Sequence, residues 1–373
     1  MIVLRPALLL VLLLAACTPR GAIVIDPAAA EVGTVRPVFV GTSRGKDEET
    51  GTEYARYRNP ETRFARFDIA IPPAHQAGRI VYTKPNKAAN PQTDFLTTRE
   101  IVYDESGAFR ADLARELRQS PRGTREAVIF VHGFNTTFAE GLYRIAQLAH
   151  DLKMPGVAVH YAWPSRGAPL AYVYDRDSAM FARDGLERLL DEVTAAGAER
   201  VVLVGHSMGA SVVMETLRQM AIAGKPARDV AGVVLISPDL DVDLFRAQAT
   251  RIGTLPQPFV IFTSKKDRAL ALSARVSGET ARLGNVTDVA LLSGLNVTLI
   301  DVTSYSTGAG HFTPGTSPAL IGILSQISEV DDALASGQIG QTGLLPGVVL
   351  TVQGATQIVM SPVTALAGGL DGQ

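Results

Sequence analysis

A serine stands at the centre of G-H-S-M-G, residues 205–209, directly after an apolar run rich in β-branched residues. A helix-like segment then continues to about Met220. Strand, sharp turn and helix around such a serine predict a nucleophile elbow, which exposes the hydroxyl at the edge of a sheet. Gly205 and Gly209 suit this turn, because a Cβ would obstruct the close backbone approach that it needs. Ser207 is therefore the candidate nucleophile. The alternative is an ordinary Gly-rich turn in a parallel sheet.

A serine of this kind needs a base, because its hydroxyl is a weak nucleophile until a histidine oriented by a carboxylate accepts the proton. Hydrolases built around a nucleophile elbow place these groups in the chain order serine, acid, histidine. Of the six histidines, only His311 follows Ser207. It lies in G-A-G-H-F after the last predicted strand, a loop setting that suits an imidazole presented over a sheet edge. His311 is therefore the candidate general base.

Two aspartates that follow Ser207 are candidates for the acid. Asp239 comes after the predicted strand 230–236, in S-P-D-L-D, and Asp267 after the predicted strand 259–263, in S-K-K-D-R-A-L. Both would emerge at the carboxyl ends of strands, at the same edge of the sheet as the elbow. In hydrolases built around a nucleophile elbow, the acid usually follows the penultimate strand, and this favours Asp267 over Asp239. Each could instead cap a helix or turn, the commonest use of Asp at such positions. Two more distant candidates are Asp241 and Asp301.

An acyl-transfer site also needs two preorganised N–H donors for the tetrahedral oxyanion. The N–H of Met208, at the start of the helix that follows Ser207, is one expected donor. The other should come from V-H-G-F-N-T-T, after the predicted strand 127–131. Gly133 allows that backbone to pass close to the substrate, so Phe134 is the expected second donor and Asn135 the alternative. His132 would then support the loop.

Apolar runs along the chain supply the elements that position these residues. Eight predicted strands, with helices between the later ones, indicate the α/β class, with a mostly parallel twisted sheet flanked by helices. The predicted strands span 35–40, 64–71, 127–131, 157–161, 200–204, 230–236, 259–263 and 297–302. Predicted helices span 109–119, 140–151 and 178–196, besides the one after Ser207. The stretch from 74 to about 106 is predicted to be irregular.

Aromatic residues near the predicted rim have two interpretations. Trp163 leaves the strand that contains His160, and Tyr161, Tyr172 and Tyr174 are its neighbours in sequence. They could line an acyl or aryl pocket, or they could only pack the connection to the next helix. The sequence favours neither.

The N-terminus has the composition of a secretory signal peptide. One basic residue, Arg5, precedes an apolar run and two small residues, and this segment is too short for a membrane-spanning helix. The sequence L-A-A-C, ending at Cys17, resembles the bacterial lipobox, in which the cysteine is diacylated and becomes the mature N-terminus. Thr18, standing where an inner-membrane retention signal would place Asp, implies transport to the outer membrane. The alternative is a plain signal peptide with an incidental cysteine.

The chain is expected to have four parts: a signal peptide over 1–17, a tether over 18–34, an enzyme domain over 35–328 and a Gly-rich apolar extension over 329–373. Lys and Arg number 35 against 37 Asp and Glu, a net charge of -2, so no global field favours nucleic acid. The single cysteine rules out a disulfide framework. Without metal-ligand spacing, a phosphate loop or a dinucleotide fingerprint, no metal or cofactor is expected.

Several motifs in order resemble one known family. They are F-V-H-G-F-N, A-W-P-S, Tyr174-Asp175, G-H-S-M-G, S-P-D-L-D, S-K-K-D-R-A-L and a late G-H. Together, over about residues 35–325, they resemble the bacterial α/β-hydrolase family called DUF900, grouped as serine hydrolases or esterases of largely unassigned substrate. The resemblance implies the α/β-hydrolase fold and a triad of Ser207, an aspartate and His311. It does not decide between Asp239 and Asp267, and it supplies no substrate.

These observations lead to the expectation of a serine hydrolase that cleaves carboxylic esters through an acyl-enzyme and is anchored to the cell envelope at Cys17. The same machinery would serve an amidase, a thioesterase or a peptidase. The alternative from another class is a non-catalytic envelope lipoprotein that uses the fold as a binding scaffold.

Overall fold

The computed structural model describes most of the central part of the chain. The described residues are 20–46, 53–225, 229–279, 281–286, 288–306, 308–322, 324, 348–354 and 357–362. The predicted signal peptide, Cys17 and most of the extension 329–373 lie outside them. Within the described part, no helix combines the length and hydropathy needed to cross a membrane.

One twisted sheet dominates the described residues. Its strands are β1 Thr34–Arg44, β2 Arg58–Ile71, β3 Leu96–Tyr103, β4 Glu126–Val131, β5 Val157–Ala162, β6 Arg200–His206, β7 Val230–Ile236, β8 Phe259–Thr263, β9 Thr298–Asp301, β10 Val348–Gly354 and β11 Gln357–Pro362. They lie in the order β11-β10-β9-β8-β7-β6-β4-β5-β1-β2-β3. The run from β10 to β1 is parallel, and β11, β2 and β3 extend it by antiparallel pairing. The predicted mostly parallel sheet is confirmed.

Helices cover both faces of this sheet. They are α1 Ser106–Leu117, α2 Phe138–Asp151, α3 Tyr172–Phe181, α4 Arg183–Ala195, α5 Met208–Ile222, α6 Val242–Ile252, α7 Arg268–Val276 and the short α8 Thr313–Thr316. Adjacent residues of β4 pack on opposite faces of the sheet. Ile129 belongs to the hydrophobic cluster that includes α1 and α4 to α6, and Phe130 belongs to the cluster that includes α2. Burial on both faces explains the near-continuous apolar sequences of the central strands.

Three strands were missed by the eight-strand prediction. The sequence of β3 lies in the stretch predicted to be irregular, because Arg99 and Glu100 interrupt its apolar pattern, and yet the strand pairs along β2. Strands β10 and β11 belong to the Gly-rich C-terminal extension, which was not among the eight predicted strands. The predicted helix 178–196 is instead two helices, α3 and α4, which meet at Ala182.

The described residues ahead of β1 lie on the domain, where the sequence suggested a tether over 18–34. Arg20 donates to Glu140 Oε1 at 2.7 Å, to Asn135 Oδ1 at 2.9 Å and to the Gly167 carbonyl at 2.9 Å. Further along, Asp26 N–H donates to the Thr97 carbonyl at 2.8 Å. The Arg20 contacts reach the loops after β4 and β5 and the start of the helix Phe138–Asp151, and the Asp26 contact reaches β3. The segment is therefore part of the folded unit from Arg20 onward.

Candidate active site

The turn between β6 and α5 places Ser207 at the carboxyl edge of the parallel strands. Ser207 has φ 53° and ψ -122°, a strained conformation for a residue with a side chain, and is 3% exposed. The space around the turn explains its glycines. A Cβ on Gly205 would lie 2.9 Å from Ala210 Cα, and one on Gly209 would overlap the Val131 carbonyl oxygen. The strain is held in place by close backbone packing between β4, β6 and α5.

His311 and Asp267 meet at this edge although 44 residues separate them. His311 Nδ1 lies 2.8 Å from Asp267 Oδ2, and the carboxylate is fully buried while the imidazole is partly exposed. The other oxygen, Oδ1, accepts the Leu270 N–H at 3.0 Å and caps α7. A buried carboxylate on Nδ1 fixes the ring orientation and leaves Nε2 as the free basic nitrogen.

Backbone contacts between two loops fix this pair. Arg268 N–H donates to the Ala309 carbonyl at 3.0 Å, and the hydroxyls of Ser264 and Ser306 are 2.6 Å apart. The ring of His311 lies 4.9 Å from that of His206, the residue immediately before Ser207. The imidazole is thus held beside the elbow.

Asp239, the alternative acid, takes part in a different network. Its carboxylate lies 3.1 Å from Arg282 Nε and accepts hydrogen bonds from Ser273 Oγ at 2.6 Å and Tyr172 Oη at 3.1 Å. Arg282 is also buried, and its pKa is raised by Asp239 despite the opposing effect of burial. The backbone of Asp239 is hydrogen-bonded to the elbow, through its N–H to the Ser207 carbonyl at 3.1 Å.

The two more distant aspartates have local roles in the structure. Asp241 caps α6 by accepting the Leu244 N–H at 2.7 Å. Asp301, at the end of β9, accepts the Thr303 N–H at 2.9 Å. Both contacts are the turn and cap bonds that aspartate commonly makes after a strand.

The two expected oxyanion donors flank the elbow. Met208 is the first residue of α5, so its N–H has no acceptor within the helix. Gly133 brings the loop after β4 against the elbow, since a Cβ there would lie 2.8 Å from Ser207 Cβ. In that loop Asn135 N–H donates to Asp175 at 3.2 Å, which removes the alternative donor. Among the described residues, the Phe134 N–H has no acceptor.

Two buried polar residues that the sequence analysis did not assign support this loop. Asp175 accepts from Asn135 N–H, from Ser165 Oγ at 2.6 Å and from Arg166 N–H at 2.7 Å. Arg44 donates to the Thr136 carbonyl at 3.0 Å, and burial lowers its pKa to about 10. Asp175 stands in a family motif and could have been found there, whereas an arginine inside β1 gave no signal.

Trp163 and Tyr161, two of the aromatic residues that could have lined a pocket or packed the core, pack the core. Trp163 is fully buried, stacks on His132 with centroids 4.9 Å apart and donates to the His132 carbonyl at 2.7 Å. Tyr161 is also buried and donates to the Ala182 carbonyl at 2.5 Å. Both therefore pack the core. Burial and the nearby Arg44 lower the pKa of His132 to about 3, which keeps this imidazole neutral.

Tyr172 lines a cavity of about 350 Å³ beside the elbow, which we call the first cavity. Its walls include Met180, Met208, Leu240 and Leu244, and its polar side is formed by the Asp239–Arg282 pair. It adjoins Met208, an expected oxyanion donor, and therefore lies next to the candidate nucleophile.

One group of described side chains has the donor set for a metal ion. Ligand atoms of His75, His150 and Asp151 lie within 4.8 Å of one another. Asp151 already accepts hydrogen bonds from His75 Nε2 at 2.6 Å, Gln147 Nε2 at 2.6 Å and Gly78 N–H at 2.7 Å. These bonds tie the loop after β2 to the far end of α2, about 20 Å along that helix from the rim. The group therefore lies outside the candidate active site.

A parallel sheet covered by helices on both faces, with a serine on a strained strand-to-helix turn, defines the α/β-hydrolase class. The family model described as "alpha/beta hydrolase of unknown function (DUF900)" matches residues 105–318, more than half of the 373 residues. The chain belongs to this family, as the sequence motifs indicated.

Solved structures of other hydrolases are similar to this chain at low sequence identity and low TM-score. An esterase of Pyrococcus furiosus is 12% identical and aligns over 85% of this chain and 99% of its own, with a TM-score of 0.36. Lipase B of Aspergillus fumigatus is 15% identical over 60% of this chain and 58% of its own, with a TM-score of 0.35. A lipase-esterase related protein of Clostridium acetobutylicum is 14% identical over 57% and 96%, with a TM-score of 0.28. No protein with a curated description matches the chain in sequence.

Proposed function

We propose that this protein is a serine hydrolase that cleaves carboxylic esters through an acyl-enzyme on Ser207. The observation that carries the proposal is the 2.8 Å contact between His311 Nδ1 and the buried Asp267 carboxylate, beside a serine in a strained elbow. Burial of the aspartate and the loop contacts of His311 are the features expected of an acid and base held for proton transfer. A scaffold used only for binding would not need that pair.

In the proposed reaction, Ser207 Oγ attacks the ester carbonyl carbon while His311 Nε2 accepts the hydroxyl proton. The N–H groups of Met208 and Phe134 bind the oxyanion that forms. His311 then donates its proton to the departing alkoxide, the C–O bond breaks, and the acyl group stays on Ser207. Water, activated by the same imidazole, hydrolyses this intermediate, and Asp267 keeps the ring in the required tautomer throughout.

Replacement of the nucleophile tests the proposal. Ser207→Ala should lower turnover of a short p-nitrophenyl ester by about 10³-fold or more and abolish labelling by a fluorophosphonate, with the fold retained. The matched control is Ser293→Ala, which changes a serine in the turn ahead of β9 and should leave both readouts unchanged. Turnover of the Ser207→Ala variant equal to wild type would contradict the assignment. A wild-type protein that neither labels nor turns over esters would favour the binding scaffold.

We further propose that the protein is a lipoprotein held in the cell envelope, at the outer membrane, through acyl chains on Cys17. The L-A-A-C sequence after an apolar run supports this assignment. A thioether-linked diacylglycerol would give the two chains that stable anchoring requires, whereas one chain binds membranes only marginally.

Metabolic labelling tests the anchor. Wild-type protein should incorporate a palmitate analogue, and Cys17→Ser should not; because the chain has one cysteine, the result is unambiguous. A chain that begins after Cys17 should be soluble and active, since it retains Arg20 and its contacts with the domain. Unlabelled wild type, or equal labelling of Cys17→Ser, would rule the anchor out.

A further inference from the structure

A second cavity, of about 300 Å³, opens on the other side of the elbow from the first. Its walls come from the ends of β4 and β6, the start of α2 and the loop that carries His311. We call it the second cavity; its lining includes Tyr82, Glu140, Arg144, His206 and Phe312.

The position of the second cavity relates it to the leaving group of an ester. His206 immediately precedes Ser207, and its ring lies 4.9 Å from His311 and 4.3 Å from Phe312. The first cavity is instead lined by Met208, an expected oxyanion donor. Because His311 would protonate the departing alkoxide, the leaving group must lie on the histidine side. That side is where the second cavity opens.

Arg144 gives this cavity an unmatched positive charge. Its Nη1 donates to Gln147 Oε1 at 2.7 Å and makes longer contacts with the Gly315 and Gly78 carbonyls, at 3.3 and 3.5 Å. Within the described part of the chain, its Nε and Nη2 donate to no acceptor, and no carboxylate forms an ion pair with it. The ring of Phe312 lies 5.1 Å from the guanidinium carbon and covers one of its faces.

The nearby ionisable groups do not neutralise Arg144. Glu140 binds Arg20 at 2.5 Å and accepts the Thr137 N–H at 2.9 Å, and Asp151 is held by three other donors. Burial raises the pKa of Tyr82 to about 12, which leaves a neutral hydroxyl in the wall. Burial also lowers the pKa of His206 well below its usual value, so this imidazole adds no positive charge.

We propose that the second cavity binds an oxyanion group, a carboxylate or a phosphate, on the leaving-group part of the substrate, through the Nε and Nη2 edge of Arg144. A guanidinium edge with two parallel N–H donors matches such a group in a bidentate contact, and the contact would give acceptors to the Nε and Nη2 of a partly buried arginine that forms no ion pair within the described residues. This inference rests on the proposed ester hydrolysis and names the substrate class: esters whose alcohol portion carries an anionic group.

Acetate esters of phenols that carry a carboxylate, a phosphate or a neutral methyl ester at the 4-position test the inference. In the wild type, 4-acetoxybenzoate and 4-acetoxyphenyl phosphate should have KM values about tenfold or more below that of methyl 4-acetoxybenzoate. Arg144→Met should abolish this preference, because no donor edge remains. It should still cleave the acetate group of the neutral compound, methyl 4-acetoxybenzoate. Arg144→Lys keeps the charge without the fork and should retain a smaller preference. The matched control, Arg118→Met, removes an exposed arginine of the same charge just after α1 and should change nothing.

The two anionic esters separate the two sources of the group: the one with the lower KM identifies carboxylate or phosphate as the preferred oxyanion. Equal KM values for anionic and neutral esters in the wild type, or a preference that survives in Arg144→Met, would overturn the inference. Should Arg144→Met fail to fold, competitive inhibition of the wild type by 4-hydroxybenzoate against its methyl ester decides, with Arg144→Lys as the second variant. Equal inhibition by the two would overturn the inference.

A direct binding measurement keeps this result separate from the proposed catalysis. Calorimetric titration of the full chain with 4-hydroxybenzoate and with its methyl ester requires no turnover. Tighter binding of the carboxylate, lost in Arg144→Met, would support the site even if the protein hydrolysed no ester. Equal or absent binding of both compounds would overturn the site whatever the activity of Ser207.

Discussion

The loops that follow β7 and β8 present the same residue type at the same edge of the sheet, but they use it differently. After β8, Asp267 is fully buried, caps α7 and holds His311 Nδ1 at 2.8 Å. After β7, Asp239 is nearly as buried, but its carboxylate faces Arg282, Ser273 and Tyr172 in the wall of the first cavity. One carboxylate orients an imidazole, and the other neutralises an arginine.

This difference shows that burial and position at a strand end do not by themselves bring an aspartate into contact with the candidate base. The residue that reaches it from elsewhere in the chain decides its role. His311, which meets Asp267, lies in the loop after β9, whereas Arg282, which meets Asp239, lies in the segment after α7. Mutations should therefore separate the two carboxylates into an effect on turnover and an effect on stability.

The largest expected effect is on turnover in Asp267→Asn. The variant should lower kcat for a short p-nitrophenyl ester by about 10⁴-fold, because an amide next to Nδ1 favours the wrong imidazole tautomer. Asn is also a good N-cap, so the Leu270 N–H keeps its acceptor and the fold should be retained. Steady-state kinetics and urea unfolding of the same preparation measure the two quantities.

A matched control for this variant is Asp26→Asn, which changes another capping aspartate at the start of a short helix far from the elbow. It should leave kcat unchanged. If Asp267→Asn kept its turnover while Asp239→Asn lost it, the assignment of Asp267 as the acid would be contradicted, and the acid would be Asp239.

The second expected effect is a loss of stability in Asp239→Asn. Arg282 is buried and would keep only Glu279, at 2.6 Å, as a charged partner. Breaking a buried ion pair from one side is costly, so the free energy of unfolding should fall by about 3 kcal/mol. The loss in kcat should be much smaller than that of Asp267→Asn, and urea unfolding monitored by circular dichroism measures the stability change.

A double variant sharpens this prediction. Replacing both partners, as Asp239→Leu with Arg282→Met, removes the uncompensated charge and should restore part of the lost stability. The comparison needs the single variants Asp239→Leu and Arg282→Met. If the double variant lost as much free energy of unfolding as these two lose together, the pair would not be coupled in the way the geometry indicates.

The smallest expected effect is that of Tyr172→Phe. The hydroxyl of Tyr172 donates to Asp239 at 3.1 Å, and its removal should lower the free energy of unfolding by about 1 kcal/mol. The ring remains in the wall of the first cavity, so kcat for a short ester should change little. A fall in kcat comparable to that of Asp267→Asn would show that the Asp239 network takes part in catalysis.

Much of the fold was predictable because its signals are local. The β-branched runs of the central strands, buried on both faces, marked β4 to β9 within a few residues. Where the signal depends on a partner, it failed: β3 contains Arg99 and Glu100 and is a strand because β2 offers it an edge. The break between α3 and α4 likewise follows from packing around Ala182, which the periodicity of the sequence did not show.

For the candidate site, the sequence by itself determined the elbow, since G-x-S-x-G between an apolar run and a helix dictates the turn over a few consecutive residues. The order of residues along the chain also singled out His311, the only histidine after Ser207. Tertiary structure alone decided which aspartate meets that histidine, that Asp175 and Arg44 hold the loop of Phe134, and that Arg144 lies in a cavity beside the elbow. The physical reason is that a turn is set by local backbone sterics. A hydrogen bond between residues 40 or more positions apart depends on how distant loops pack, and sequence spacing does not encode that packing.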